Sequence, residues 1–234
     1  MSIPDNIARI RDRIATAAVR AERDPAGITL MAVSKTFPPE TIHQAYETGI
    51  RVFGENRVQE FAGKADALKT LNEAHWHMIG HLQTNKAAKA AELFNAVDSV
   101  DSLKLAEKLN DAAQGRSKTL RILLEVNVGG EAAKTGLPAA SDELEDLLAA
   151  APRLTSLEIR GLMTIPPFTD DPQAARPYFR KLRELRDNIA ARTLPAVRME
   201  TLSMGMSHDF EVAIEEGSTC VRVGTGIFGE RTKA

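Results

Sequence analysis

The feature that most constrains the fold of this chain is a regular alternation of short β-type runs with helical stretches. Eight apolar or β-branched runs have the length of strands, and a helical pattern follows each of them. Strands that alternate with helices form parallel sheets, and eight such units in 234 residues fit a closed (β/α)8 barrel. An open, doubly wound sheet is the alternative. The predicted strands are 28–34, 50–53, 75–79, 96–100, 120–127, 157–163, 198–203 and 219–223.

We predict one α/β domain of the TIM-barrel type over residues 1–234, because no linker, short repeat or low-complexity segment interrupts the pattern. An amphipathic pattern over residues 3–23 adds a helix before the first strand, with Ile7 and Ile10 on its apolar stripe. The glycine-containing loop 128–138 is predicted to be mobile. The other predicted helices are 39–48, 56–71, 84–92, 102–113, 141–150, 172–192 and 208–216.

The composition excludes several functional classes. The formal net charge is −2 and the basic residues are spread along the chain, so nothing favours nucleic-acid binding. The single cysteine, Cys220, permits no disulfide framework and no CxxC metal site, which favours a reducing compartment. The first residues lack a signal-peptide pattern, and no apolar run is long enough to cross a membrane. We therefore expect a cytoplasmic protein.

Lys35 lies where a barrel of this type carries its chemistry, directly after the first predicted strand. Phe37, Pro38 and Pro39 then end the strand and begin a helix. A lysine near apolar surroundings loses its proton more readily, and it can then form a Schiff base with a carbonyl compound. An ordinary solvated lysine is the more frequent case at such a position, so the interpretation depends on the other strand ends.

The loops after the last two predicted strands have the composition of a phosphate site. Ser203, Gly205 and Ser207 belong to a Ser-Met-Gly-Met-Ser run, and Gly224 and Thr225 begin a Gly-Thr-Gly run. Both runs lead into helical turns, whose backbone N–H groups bind anions, and glycine lets a ligand approach closely. Either loop alone is better explained as a turn with a helix cap. Two such loops on adjacent strands predict phosphate binding.

Arg222 alternates with two valines in the last predicted strand, which turns its side chain toward the barrel interior. A buried charge requires a polar partner. That partner is either an interior acid such as Glu125 or a ligand with a ring nitrogen or an anionic group. A lysine suited to a Schiff base, a phosphate cradle and this arginine are together the parts of a pyridoxal 5′-phosphate (PLP) site. Because arginine cannot accept a proton from the pyridine ring, it weakens the cofactor as an electron sink.

Several different short motifs are distributed along nearly the whole chain, beginning with Ala-Val-Ser-Lys at 32–35 and Phe-Gly-Glu-Asn at 53–56. The others lie at 58–60, 77–80, 82–86, 161–164, 202–207, 217–219, 221–225 and 227–229. In combination these motifs are specific, and the chain resembles the PLP homeostasis proteins. That family is related in fold to the N-terminal barrel of alanine racemase, so the resemblance implies the same barrel here.

The resemblance also implies roles for individual residues. Lys35 would carry PLP covalently as an internal aldimine, Arg222 would face the pyridine nitrogen, and Asn56 would lie near the polar edge of the ring. The phosphate would be held by Ser203, Gly224 and Thr225. The complete expected cofactor-binding set is Lys35, Asn56, Met163, Ser203, Gly205, Ser207, Arg222, Gly224 and Thr225.

The resemblance implies a protein that stores or delivers PLP, and so affects vitamin B6 balance, rather than an enzyme. Related racemases need a tyrosine from an additional C-terminal domain as second base, and this sequence ends shortly after the eighth predicted strand. Its two tyrosines, Tyr46 and Tyr178, fall in predicted outer helices. We expect no catalytic residues, a monomer, and transient transfer of PLP to apo enzymes. The alternatives are a weakly active PLP-dependent amino-acid racemase and a sugar-phosphate barrel enzyme that uses Lys35.

The histidines near the third predicted strand suggest a metal site, since His75 and His77 share one face. No well-placed carboxylate or cysteine completes a ligand set in the sequence, so we expect a buried, hydrogen-bonded histidine pair and no metal. Two acidic residues of the second motif have a simpler interpretation. Glu55 and Glu60 are expected to serve the first turns of the following helix.

Two further side chains carry weaker hypotheses. Lys134 lies in the glycine-containing loop, where a free amine is a candidate for transient capture of the aldehyde or phosphate during release. A solvated loop lysine is the simpler interpretation. His208 directly follows Ser207 and would add a weak positive charge near the phosphate.

Overall fold

Nine parallel strands are present in a computed structural model that describes residues 2–131 and 135–230. Their bounds are β1 Thr29–Val33, β2 Val52–Glu55, β3 His75–Met78, β4 Ala96–Val100, β5 Leu120–Asn127, β6 Leu137–Pro138, β7 Leu157–Met163, β8 Val197–Met206 and β9 Cys220–Val223. Eight of them form a ring, and the two-residue strand β6 is an addition that pairs with the end of β5. The eight strands of the ring are those that the sequence predicts, with ends that shift by a few residues.

Hydrogen bonds between neighbouring strands close the ring. Each strand of the ring pairs with the next along the chain, and β9 returns to β1 with Arg222 opposite Met31. The pairing of β4 with β5, which places Ala96 opposite Arg121, completes the circle. An open sheet would leave two unpaired edges at this point. The prediction of a (β/α)8 barrel is therefore confirmed, and the alternative of an open sheet is wrong.

Helices follow the strands of the ring and cover the outside of the barrel. Their bounds are α1 Ile3–Arg20, α2 Pro39–Glu47, α3 Val58–Lys64, α4 Ala87–Leu93, α5 Leu103–Gln114, α6 Asp142–Ala150, α7 Arg176–Ala191, α8 Phe210–Glu215 and α9 Thr225–Phe228. The helix predicted at 56–71 is broken, because α3 ends just after the weak helix former Gly63 and a 3-10 turn, Asp66–Leu68, replaces its continuation. In the described part of the chain, no helix combines the length and the apolar content required to span a membrane.

Apolar side chains fill two separate layers. The larger layer lies between the barrel and the helices and contains Ala32 together with large side chains such as Phe53. The smaller cluster lies inside the barrel and includes Met31 and Val33, the two neighbours of Ala32 on β1. Successive residues of a strand point to opposite faces, which is why one strand contributes to both layers. Other interior positions carry polar side chains, such as the buried Arg222.

The predicted N-terminal helix is present as α1, and it contacts the last two helices, α8 and α9. Asn6 Nδ2 donates a buried hydrogen bond of 2.9 Å to the carbonyl oxygen of Ile227 in α9. Arg13 forms an ion pair of 3.0 Å with Glu211 in α8. Because α8 and α9 follow β8 and β9, the helix α1 holds in place the two loops that the sequence assigns to phosphate.

Candidate functional site

Lys35 lies in a turn directly after β1, at the end of the barrel where the parallel strands have their carboxyl termini, and it is half-buried. The strand β1 lies between β2 and β9. Gly224, which follows β9, touches the end of β1, since a Cβ at this position would be 3.4 Å from Val33 Cβ. The structure thus brings the predicted Schiff-base lysine next to one of the two predicted phosphate loops.

Arg222 is buried on β9, and peptide oxygens fix its guanidinium group. Nη1 donates to the Ser203 carbonyl oxygen at 2.6 Å and to Ser203 Oγ at 2.9 Å, and Nη2 donates to the Thr164 carbonyl oxygen at 2.7 Å. Burial lowers the pKa of Arg222 from its ordinary value. Arginine nevertheless stays protonated in proteins, so a positive charge is held at a defined place inside the barrel.

The ion pair between Arg222 and Glu125, which the sequence left open, is not among the ion pairs of the described residues. Instead, Glu125 Oε1 accepts a hydrogen bond of 2.9 Å from Thr135 Oγ1, and Glu125 Oε2 is buried without a partner in the described part of the chain. Burial raises the pKa of Glu125, against the opposing effect of the Thr135 hydrogen bond. Carbonyl dipoles rather than a carboxylate surround the guanidinium group, which keeps its charge available to a ligand.

The loops after β8 and β9 meet at the carboxyl end of the barrel. Thr225 Oγ1 donates to Ser207 Oγ at 3.3 Å, and the Gly226 N–H donates to the same oxygen at 3.4 Å. Ser207 is half-buried and Thr225 is exposed, so both hydroxyl groups are accessible from outside. Ser207, Gly224 and Thr225 therefore come together as the sequence predicts, in an arrangement of donors that suits an anion.

Ser203 and Gly205 are placed differently, although they belong to the same run as Ser207. Ser203 is fully buried opposite Cys220, and its hydroxyl oxygen accepts from Arg222, so it supports the guanidinium group instead of joining the two loops. Gly205 has a φ of +93°, and a Cβ there would lie 2.5 Å from Ala213 Cβ. Close packing of β8 against α8 in a left-handed conformation therefore requires this glycine. The order of residues along the run does not reveal these different directions.

Asn56 and Met163 also lie at this end of the barrel. Asn56 follows β2, and its Oδ1 is buried without a partner among the described residues. A buried amide oxygen without a donor is costly, so the position suits a ligand that donates. Gly80 packs against the Asn56 backbone, since a Cβ there would be 2.5 Å from the Asn56 carbonyl oxygen. Met163 is fully buried at the end of β7, opposite Ser203.

A buried ion pair lies beside the Lys35 turn, and the sequence patterns did not predict it. Glu55, the last residue of β2, does not serve a helix terminus as predicted. Its Oε1 accepts from Ser34 Oγ at 2.5 Å and pairs with Lys64 Nζ at 2.9 Å. Both members of the pair are buried. No local pattern reveals this contact, because it depends on the path of the chain from β2 through α3.

A cavity of about 670 Å³ opens at the opposite, amino-terminal end of the barrel. His77 and Asp98 lie in its wall, where Nδ1 and Oδ1 are 3.0 Å apart. The expectation of a buried, hydrogen-bonded histidine pair is wrong for His75, which is exposed, whereas His77 is half-buried and has Asp98 on the neighbouring strand as its partner. Cys220 also lines the cavity, and burial raises the pKa of its thiol to about 12. Across the described residues, no group of three or more His, Cys, Asp or Glu side chains is arranged to hold a metal ion.

His208 connects two loops at the carboxyl end. Its Nε2 lies 3.0 Å from the carbonyl oxygen of Asp170, and its ring centroid is 5.8 Å from that of Phe168. These contacts hold the segment after β7 against the loop that contains Ser207. Lys134 lies outside the described residues, so the hypothesis of a transient capture site there stays a prediction.

Comparison with known proteins assigns the chain to a family. The family model of the alanine racemase N-terminal domain matches residues 6–232. The chain is 46% identical over 231 residues to the pyridoxal phosphate homeostasis protein of Aquifex aeolicus, with 99% of each chain covered. It belongs to the pyridoxal phosphate homeostasis family. A second member, from Escherichia coli K12, is 41% identical, with 98% of this chain and 97% of the relative covered. The resemblance seen in the sequence motifs is confirmed.

Solved structures agree with this assignment. PipY of Synechococcus elongatus, solved with PLP bound, has a TM-score of 0.82 and 36% identity, covering 97% of this chain and 100% of PipY. An alanine racemase of Clostridium difficile has a TM-score of 0.72 and 14% identity, covering 98% of this chain and 58% of the racemase. The racemase comparison shows a shared fold alone. The barrel of the homeostasis family thus accounts for all of PipY but for little more than half of the racemase.

Proposed function

We propose that this protein binds PLP at the carboxyl end of its barrel and takes part in the homeostasis of PLP, the active form of vitamin B6. The observation that carries the proposal is the convergence of Lys35, Arg222 and Thr225 on the neighbouring strands β1 and β9. An amine for the aldehyde, a donor for the pyridine ring and a phosphate site are what PLP requires. Relatives with 41–46% identity that are named for PLP homeostasis support the same conclusion.

The residues at this end of the barrel fit the cofactor. Thr225 Oγ1 and the Gly226 N–H both lie within 3.4 Å of Ser207 Oγ, a spacing that suits the oxygens of one phosphate group. Gly224 lets that group approach the end of β1. The unpartnered Oδ1 of Asn56 would be satisfied by a donor on the ring or its substituents. These contacts would hold PLP by its phosphate at one edge and by its polar substituents at the other.

Three buried residues of the predicted set would support the site from within the protein. Met163 would supply an apolar surface below the ring. Ser203 is proposed to orient Arg222 rather than to hold the phosphate, because its hydroxyl oxygen accepts from the guanidinium group. Gly205 is proposed to shape the loop that carries Ser207, since its backbone lies in close contact with α8.

Lys35 is proposed to hold the cofactor covalently. The unprotonated Nζ attacks the aldehyde carbon of PLP, the aldehyde oxygen leaves as water, and a C=N double bond remains. Addition of water reverses the reaction and frees both the lysine and the aldehyde. This reversibility suits a protein that stores PLP and releases it.

Arg222 is proposed to face the pyridine nitrogen. A guanidinium group has five N–H donors, so the bonds to Ser203 and Thr164 do not exhaust them. Because the arginine donates and accepts no proton, the ring nitrogen stays unprotonated. The bound cofactor then withdraws electrons weakly, which disfavours transamination and decarboxylation.

The positions of the tyrosines support a binding role rather than catalysis. Racemisation by two bases requires a second proton carrier on the face of the cofactor opposite the lysine. Tyr46 lies on α2, where its ring is covered by the Arg51 guanidinium at 4.1 Å and its hydroxyl accepts from the Glu73 N–H at 3.4 Å. Tyr178 lies on the outer helix α7. The proposed protein is therefore a non-enzymatic PLP carrier. We further propose that it is a monomer and that it passes the cofactor to apo enzymes.

The test is the absorbance spectrum of the purified protein mixed with PLP. A Schiff-base band is expected for the wild type and for Lys86→Ala, which removes another half-buried lysine at the same end of the barrel, and not for Lys35→Ala. Borohydride reduction followed by peptide mass mapping should then place the adduct on Lys35. A wild type with neither band nor adduct would overturn the cofactor proposal and favour a sugar-phosphate barrel enzyme.

A second measurement separates a carrier from an enzyme. The PLP-loaded protein is mixed with an apo PLP enzyme, and restored activity of that enzyme is followed beside racemisation of free amino acids. Transfer without racemisation is the expected result. Racemisation that disappears in Lys35→Ala would instead favour the amino-acid racemase.

A further inference from the structure

The turn that carries Lys35 has an unfavourable backbone conformation. Thr36, the next residue, has a φ of +68°, although it is β-branched and such residues rarely adopt left-handed conformations. A backbone hydrogen bond of 3.2 Å, from the Phe37 N–H to the Ser34 carbonyl oxygen, spans the turn. A turn of this kind persists only where its surroundings impose it.

Charged side chains from β2 and α3 supply those surroundings. Lys64 Nζ donates to the carbonyl oxygens of Ser34 at 3.0 Å and Phe37 at 3.4 Å, which lie on either side of Lys35. The carboxylate of Glu60, in the first turn of α3, accepts from the Thr36 N–H. The main chain before and after Lys35 is therefore held by two side chains that belong to another part of the barrel.

A buried carboxylate completes the arrangement. Glu55 Oε1 accepts from Ser34 Oγ at 2.5 Å and pairs with Lys64 Nζ at 2.9 Å, while its Oε2 has no partner in the described part of the chain. Burial raises the pKa of Glu55, and the charge of Lys64 opposes this effect. Buried ion pairs add little net stability, because removing both charges from water costs about as much as their attraction returns. Stability alone is thus a poor explanation for this pair.

We infer that Lys64 is a positioning residue that fixes the turn at Ser34–Phe37 and so aims Lys35 at the aldehyde of PLP. The inference rests on the proposed function, because it assumes that Lys35 forms the C=N bond. Attack on a carbonyl carbon needs the amine within a narrow range of distance and angle, which a mobile turn does not provide. Glu55 holds Lys64 in place, and Glu60 fixes the one left-handed residue of the turn.

The experiment separates formation of the covalent bond from binding of the cofactor. One arm measures how fast the Schiff-base band appears after mixing with PLP. The other measures equilibrium affinity for pyridoxine 5′-phosphate, which has the same ring and phosphate but no aldehyde. A residue that only maintains the fold would affect both arms together, whereas a residue that positions Lys35 affects the first arm alone.

For Lys64→Met we expect a rate reduced by about tenfold or more and an affinity for pyridoxine 5′-phosphate within about twofold of wild type. Lys64→Arg, which keeps a donor for the two carbonyl oxygens, should recover most of the rate. Lys118→Met is the matched control, because Lys118 Nζ also donates to two carbonyl oxygens, those of Ala91 and Phe94, but at the amino-terminal end of the barrel. It should react at the wild-type rate.

A second variant covers the case in which Lys64→Met leaves Glu55 charged and the protein unfolded. Glu55→Gln/Lys64→Met removes both charges and should show the same slow reaction in a folded protein. A wild-type rate in either folded variant, or a parallel loss of affinity for pyridoxine 5′-phosphate, would overturn the inference alone. A wild type that forms no band would overturn the proposed function and the inference with it.

Discussion

The two ends of the barrel differ in whether their buried polar side-chain atoms have hydrogen-bond partners. At the carboxyl end, three buried oxygen atoms have no partner among the described residues: Glu55 Oε2, Asn56 Oδ1 and Glu125 Oε2. At the amino-terminal end, none of the described residues that line the cavity has a buried polar side-chain atom without a partner. His77 pairs with Asp98 at 3.0 Å, and Lys118 donates to two carbonyl oxygens.

If the proposed PLP site is correct, unsatisfied buried polar atoms are a better guide to the binding site of this protein than the size of a cavity. The cavity of about 670 Å³ lies at the amino-terminal end, where none of the described lining residues has a buried polar side-chain atom without a partner. In barrels of this type, the amino-terminal face contributes to stability and the carboxyl face carries function. Three comparisons of paired variants test whether this division holds.

The largest effect is expected when one arginine is removed from each end, the buried Arg222 and the partly exposed Arg160. Arg222→Met should lower the free energy of unfolding of the PLP-free protein by about 3 kcal/mol, because the Ser203 and Thr164 carbonyl oxygens lose their donor in the interior. Arg160→Met removes ion pairs of 2.8 Å with Glu158 and 2.9 Å with Glu200 that water partly reaches, so about 1 kcal/mol or less is expected. Urea denaturation measures both values, and equal losses would contradict the comparison.

A smaller effect is expected from adding one methyl group to a glycine at each end. Gly205→Ala should lower the free energy of unfolding by about 2 kcal/mol, because its φ is +93° and the new Cβ would meet Ala213 at 2.5 Å. Gly27→Ala is the control near the amino-terminal cavity, where no atom lies within 4 Å of the new Cβ, and a change within about 0.5 kcal/mol is expected. Thermal unfolding of the two variants would decide the point, and a harmless Gly205→Ala would show that the β8–α8 contact is loose.

The smallest effects are expected from isosteric amides, and they should have opposite signs. Burial raises the pKa of Glu125, so the folded state binds its proton more tightly than the unfolded state does. Its contribution to stability therefore falls as the pH rises through the interval between the unfolded and folded pKa values. The amide of Glu125→Gln does not titrate, so this variant does not lose stability as the pH rises. Its free energy of unfolding should exceed that of wild type by about 1 kcal/mol at pH 8 and should be nearly equal to it at pH 4.

The counterpart at the amino-terminal end is Asp98→Asn. It weakens the hydrogen bond to His77, now 3.0 Å long, and should lower the free energy of unfolding at neutral pH by about 1 kcal/mol. Denaturant titrations at several pH values would compare the two amides. If both amides destabilised the protein, the carboxyl end would be as well satisfied as the other end.

Much of the fold was predictable from the sequence, because strand and helix patterns are visible within short stretches of the chain. Alternating strand and helix patterns report the number and order of the strands, because consecutive parallel strands tend to be neighbours and their crossovers have one hand. The same reasoning predicts that Lys35, Ser207, Gly224 and Thr225 share one end of the barrel, since each directly follows a strand. The structure brings these four residues to that end.

The directions and partners of the interior side chains were decided only by the tertiary structure. Within one short run, Ser203 faces Arg222, Gly205 packs on α8 and Ser207 reaches the loop after β9, a division that depends on irregular pairing between β8 and β9. Periodicity does not report such irregularities, because they arise where strands are joined into a ring rather than within a strand.

The sequence by itself therefore determined the architecture, the motifs of the family and the end of the barrel where they collect. The closed ring decided that Lys64 meets the Ser34 carbonyl oxygen 30 residues away, and that Arg222 is surrounded by peptide oxygens. The physical reason is the separation along the sequence of the residues that interact. Strand and helix patterns express interactions between residues near in sequence, whereas the pairing of a buried charge depends on which distant atoms the completed fold brings within hydrogen-bond distance.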